Sequence, residues 1–232
     1  AEAPDLGLWE NLGQMGFAAS LGGLRALVAA ITYMRAYVAF EEVEWARVDS
    51  LFQLACRLQP HDVSYWDEAA WHMAYNAASS YLHSDRVEPI MRGKLYHSHI
   101  ERGIHILESG LRYNPDDVRL LARLGDIYAR RKMEPAKAGE IYERIAAIGG
   151  PDRYARLAGY EYLKTSDRAL WERSYQLLKR AYDKEGPKYP SVVDGIKELE
   201  KRLQIPFIQW IPERGSGRQS SQAQPENKPA TR

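Results

Sequence analysis

His97, Glu101 and His105 stand at i, i+4 and i+8, so on a helix all three share one face. Glu68 and His72 have the same spacing further upstream. Imidazoles and carboxylates from two facing helices can hold a metal ion. The Glu-x-x-His spacing of di-iron bundles is absent, however, and so is His-Glu-x-x-His. Pairs at i, i+4 also stabilise a solvated helix face without any metal. The reading is therefore no metal site, with His72, His97, Glu101 and His105 as the minor alternative.

Nucleophilic chemistry has less support. Ser79-Ser80 lacks a nucleophile-elbow context, and Cys56 shares an apolar helix face with Phe52 and Ala55, where a thiol is inert. A single Cys excludes an intramolecular disulfide and a Cys-ligated zinc or iron–sulfur site. Gly149-Gly150-Pro151 follows a helical run with no preceding strand, so it reads as a turn rather than a phosphate cradle. The sequence predicts no catalytic residue, no cofactor and no small-molecule substrate. It is not expected to be an enzyme.

The elements that would carry these residues are helices. Of 232 residues, 51 are Ala or Leu, whereas Val, Ile and Thr together number 25. Ala and Leu lose little entropy in a helix, and β-branched residues are what strands select. With 45% hydrophobic and 27% charged residues, the chain can bury a core. Its net charge of +1 argues against a dedicated nucleic-acid binder.

Helical runs with small and aromatic residues at spacing 3 or 4 end at Pro60, Pro115 and Pro151. The sharpest run is Leu121-x-x-Leu124-Gly125-x-x-Tyr128, followed by Ala138-x-x-x-Tyr142. Gly125 would let two helices approach closely, with Leu121, Leu124 and Tyr128 forming one apolar face. Weaker copies are Val48-x-x-x-Phe52-x-x-Ala55, Trp66-x-x-Ala69-Ala70-x-x-Met73 with Gly103-x-x-x-Leu107-x-x-Gly110, and Tyr154-x-x-Leu157-Ala158 with Trp171–Lys184. Residues 79–94 are too long for the pattern and read as an insertion. Residues 192–203 read as a capping helix.

These runs resemble the tetratricopeptide pattern, with Leu121 in place of its Trp and Tyr142 in place of its Phe. The resemblance implies an all-α fold, a tetratricopeptide-like right-handed α-solenoid of about four helical hairpins plus a capping helix. In the first half, Leu21-Gly22-Gly23-Leu24-Arg25-Ala26, Leu58-Gln59-Pro60 and Ala70-Trp71-His72-Met73-Ala74-Tyr75-Asn76 resemble a group of poorly characterised bacterial membrane-associated proteins of this kind. That resemblance implies a protein at the extracytoplasmic, periplasmic face of the inner membrane, with a cytoplasmic place as the open alternative.

In such a solenoid the first helices line a concave groove. Trp71, Tyr75 and Asn76 fall on one first helix, and Arg119, Asp126 and Arg130 on the next. Trp, Tyr and Arg dominate binding hot spots. These six are the expected contacts for a partner protein or peptide, and the expected role is a non-catalytic interaction scaffold. The alternative is an accessory structural subunit of a membrane-associated complex. Residues 41–69 carry seven acidic and two basic residues, and residues 118–184 fifteen basic and nine acidic. Two solvated faces, an acidic partner for the later repeats, or head-to-tail self-association of opposite ends would each use that asymmetry.

The ends complete the layout. Residues 1–20 read as a linker and 21–205 as one helical repeat domain. Residues 15–40 are the most apolar stretch, but Arg25 and Arg35 interrupt it, which favours a buried or partner-facing helix over a membrane span. Phe207, Ile208, Trp210 and Ile211, between Pro206 and Pro212, form an apolar docking segment. Residues 213–232 contain no large apolar residue and read as a disordered tail.

Overall fold

Pro60 with Asp62, and Pro115 with Asp117, punctuate the chain in the same way. Gln59 and Asn114 each precede a proline and adopt nearly one conformation, φ −132°, ψ 71° and φ −134°, ψ 70°. Pre-proline residues are pushed out of the helical region, so both helices stop there. Two residues beyond each proline, Asp62 and Asp117 cap the next helix by accepting from the backbone amides of Ser64 and Leu120. Asp167 does the same for Ala169.

The computed structural model describes residues 6–212, with side chains from residue 21 onward. Among these there are helices and no strands. The chain divides into two compact units, 1–150 and 151–232, at the Gly149-Gly150-Pro151 turn. The single domain 21–205 expected from the pattern is thus two bodies.

In the first unit, α1 (Leu6–Glu41) packs on α2 (Trp45–Leu58), and α2 on α3 (Val63–Trp71). A π-turn, His72–Ala77, joins α3 to α4 (Ala78–Leu82). Then α5 (Pro89–Tyr113) lies along this segment, and α6 (Val118–Ile127) packs on both α5 and α3. A second π-turn, Tyr128–Lys132, leads to α7 (Pro135–Ala147), which packs back on α6. In the second unit α8 (Arg153–Leu163) packs on α9 (Arg168–Glu185), and α10 (Pro190–Arg202) on both. Residues 192–202, within the stretch read as a capping helix, lie on α10.

One boundary differs from the sequence reading. Helix α1 begins at Leu6, where a linker to residue 20 was expected, because no proline interrupts residues 5–59. Residues 79–94, read as an insertion, contribute to α4 and α5 and leave 83–88 as a turn. Residues 1–5 and the 213–232 tail lie outside the described residues.

The close approach expected at Gly125 is present. A Cβ there would lie 2.6 Å from the Tyr142 ring, so the α6–α7 crossing requires a residue without one. No helix among the described residues is long and apolar enough to cross a membrane.

Candidate functional site

Helices α3 and α6 lie side by side, and the residues on their shared face are tied together by one acid. Asp67 is buried on α3 and faces two arginines of α6. Arg123 grips it twice, Nε to Oδ1 at 2.6 Å and Nη2 to Oδ2 at 3.3 Å, and Arg119 donates from Nε to Oδ2 at 2.8 Å. Arg119 also reaches the Ser64 hydroxyl at 3.2 Å. The hydrogen bond to Asp67 raises the Arg123 pKa further. One turn along, the Arg131 guanidinium lies 4.3 Å from the centre of the Tyr75 ring and bonds Ser79 at 3.3 Å. Burial, and then the charge of Asp126, push the Tyr75 phenol up.

Of the six residues expected to bind a partner, Tyr75 and Arg119 belong to this arrangement. Trp71 is exposed, and Arg130 is exposed with no ion pair among the described residues. Asp126 accepts from the Tyr142 hydroxyl at 2.7 Å, which ties α6 to α7. Asn76 turns inward, its amide 3.2 Å from His72 Nδ1. The π-turn explains this, because its extra residue per turn rotates the residues beyond it away from ideal α spacing. Sequence reasoning missed Asp67, Arg123 and Arg131. Their signal was present: Asp67, Trp71 and Tyr75 recur every four residues, as do Arg119 and Arg123.

His72 sits in an aromatic cage. Phe52 stacks on it at 5.1 Å, and Phe40, Trp71 and Tyr37 meet it edge-on at 4.6, 5.0 and 5.5 Å. Tyr37 donates to Glu68 Oε2 at 3.1 Å, so Glu68 and His72 face different partners. Burial pushes the imidazole down to about 4. Below about pH 6.5 the unfolded chain takes up a proton that the native one refuses, so stability is full above that pH and falls toward pH 4. Urea unfolding at pH 5 should show about 2 kcal/mol less stability than at pH 7.5. His72→Leu should flatten that dependence; an equal slope in the variant would assign it to other groups.

The other histidines do not converge on a metal. Glu101 and His105 line an open groove of about 470 Å³ between α2 and α5 with Asp49 and Arg102. Its acids are already paired, Asp49 with Arg102 at 2.9 Å and Glu101 with Lys132. His97 is exposed beside Tyr96. Among the described residues no three His, Cys, Asp or Glu side chains are grouped to hold a metal ion. Burial pushes the Cys56 thiol up to about 12, which leaves it unreactive.

The 206–212 segment divides in two. Trp210 donates from Nε1 to the Ile205 carbonyl at 2.8 Å, and the Ile211 amide donates to buried Glu200 at 2.7 Å. Ile211 enters the core beside Leu178, Ile196 and Leu199, so it is not available for docking. Phe207 and Ile208 remain 81% and 91% exposed on a 3₁₀ turn.

No family model matches the chain, and no curated protein matches it. Among solved structures, the chain is similar to a thermophilic TPR (tetratricopeptide-repeat) protein of Thermus thermophilus. The TM-score is 0.37 and the identity 15%, over 74% of this chain and 98% of that one.

Proposed function

We propose that the protein is a non-catalytic interaction scaffold whose α3–α6 face binds a segment of another protein. The reading takes the hairpins as repeats of a right-handed tetratricopeptide-like solenoid, about four with α10 as the cap. One observation carries it: exposed Trp71, on α3 with Asp67, and exposed Arg130, in the turn after α6, belong to the two segments that Asp67 ties together. A preordered surface loses little side-chain entropy when a partner docks, and Trp and Arg are the residue types that gain most from being covered. Tyr75 and Arg119 then belong to the contact surface, whereas Asp126 and Asn76 support it from behind. Residence at the extracytoplasmic face of a bacterial inner membrane rests on the resemblance of residues 21–115 alone.

The test is binding of partners captured from the native host's envelope and cytosol, by the full chain and by Trp71→Ala/Arg130→Ala. Trp71 also meets the buried His72 ring, so Arg130→Ala alone, at an exposed position without that contact, is measured beside the double variant and both are checked for parental unfolding. Affinity for the captured partner should drop at least 10-fold, which is about 1.4 kcal/mol or more. Equal affinity would remove this face from the reading. The accessory-subunit alternative draws on Phe207 and Ile208, which are held outward where a neighbouring subunit would cover them.

A further inference from the structure

Helix α1 carries two apolar faces, and only one of them is used. Ala29, Thr32, Ala36 and Ala39 are buried in the first unit. Leu21, Leu24, Val28, Ile31 and Val38 lie on another face, spaced 3, 4, 3 and 7 apart, with Arg35 filling the missing place. That alternation of 3 and 4 is the seam of a helix pair. Leu27 and Met34 widen the stripe on one side, and the apolar members are between 39% and 68% exposed. Arg25 does not interrupt it, because its guanidinium reaches across to the Leu58 carbonyl at 3.2 Å.

We infer that two copies of this chain associate by pairing α1 with α1, antiparallel, about an axis near Ala29 and Ala30. The exposed apolar residues of the stripe offer roughly 700 Å² a copy, hence about 1,400 Å² for a pair, inside the range of stable interfaces. The 213–232 segment is poorly suited to cover the stripe, since it lacks large apolar side chains. A bilayer is a poorer occupant: exposed Glu41, Glu42 and Glu44 crowd one end, and anionic headgroups would repel them. Antiparallel pairing follows from charge. A parallel pair would set Arg35 against its own copy, whereas the antiparallel pair sets Leu21 against Val38, Val28 against Ile31, and Arg35 against Leu24. The aliphatic stem of Arg35 can lie along Leu24 with its charge in water.

Sedimentation velocity on the full chain from 1 to 100 µM tests this. The expected species is a dimer, twice the 26.5 kDa chain. Leu24→Glu/Ile31→Glu should weaken it at least 100-fold while leaving the helical circular dichroism and melting temperature of the monomer in place. A parent that is monomeric at 100 µM overturns the inference, and so does a dimer indifferent to both substitutions. Orientation is read by oxidation: an equal mixture of Val28→Cys and Ile31→Cys chains should cross-link more than either alone. Preferential linking of each with itself would mean a parallel pair and would overturn the antiparallel register. Flotation of a monomeric parent with phosphatidylethanolamine–phosphatidylglycerol vesicles would assign the stripe to lipid instead.

Discussion

Gly103→Val is expected to abolish cooperative folding of the first unit, and Gly103→Ala to remove about 2–3 kcal/mol, as overpacked cores do. A Cβ at position 103 would sit 2.7 Å from the Ala74 Cβ and 2.9 Å from the Ala70 carbonyl oxygen. Neither neighbour can turn aside, since one is main chain and the other is fixed directly to it. The added atom can be housed only by moving α5 away from α3 and its π-turn. Gly93, ten residues earlier on the same helix, has nothing within 4 Å of the same added atom. Gly93→Ala should therefore gain about 0.5–1 kcal/mol from helix propensity alone. Urea unfolding followed by circular dichroism would show opposite signs for one chemical change. If both substitutions were neutral, the close packing of α5 on α3 would be wrong.

Removing both Arg119 and Arg123 is expected to cost about 3–5 kcal/mol, because it leaves the Asp67 carboxylate buried without a counter-charge. Removing the acid should cost less, about 1–2 kcal/mol, after allowance for solvent around the arginines. Their side chains are 50% and 30% exposed and can turn to water, whereas Asp67 cannot. Unfolding free energies of Arg119→Ala/Arg123→Ala and of Asp67→Asn, measured at one pH, would show this inequality. Equal costs would mean that Asp67 reaches water and that the α3–α6 face is looser than described. The comparison also bears on the proposed binding face, since Asp67 joins the two helical segments that carry Trp71 and Arg130.

The sequence by itself determined most of the helices and several of their ends. Pro60 and Pro115 fix where α2 and α5 stop, and Asp62 and Asp117 fix where the next helices start, because these are local effects of a ring and a short carboxylate. Gly125 against Tyr142 was legible for a related reason: a small residue beside an apolar stripe has few other uses on a helix. Trp71 and Arg130 stood out as candidates through their residue types and their place on first helices of the resembled repeat pattern. The tertiary structure decided which polar residues meet. Asp67 reads as an ordinary exposed acid until α6 brings two arginines to it from more than fifty residues away. Asn76 reads as a groove residue until the π-turn adds a residue to the helix and turns it to His72. Ile211 reads as free until α10 offers both an apolar floor and the Glu200 carboxylate. Start and stop signals act within a turn of helix, so the sequence displays them. Pairing of charges and the phase of a helix past a π-turn are set by packing against distant segments.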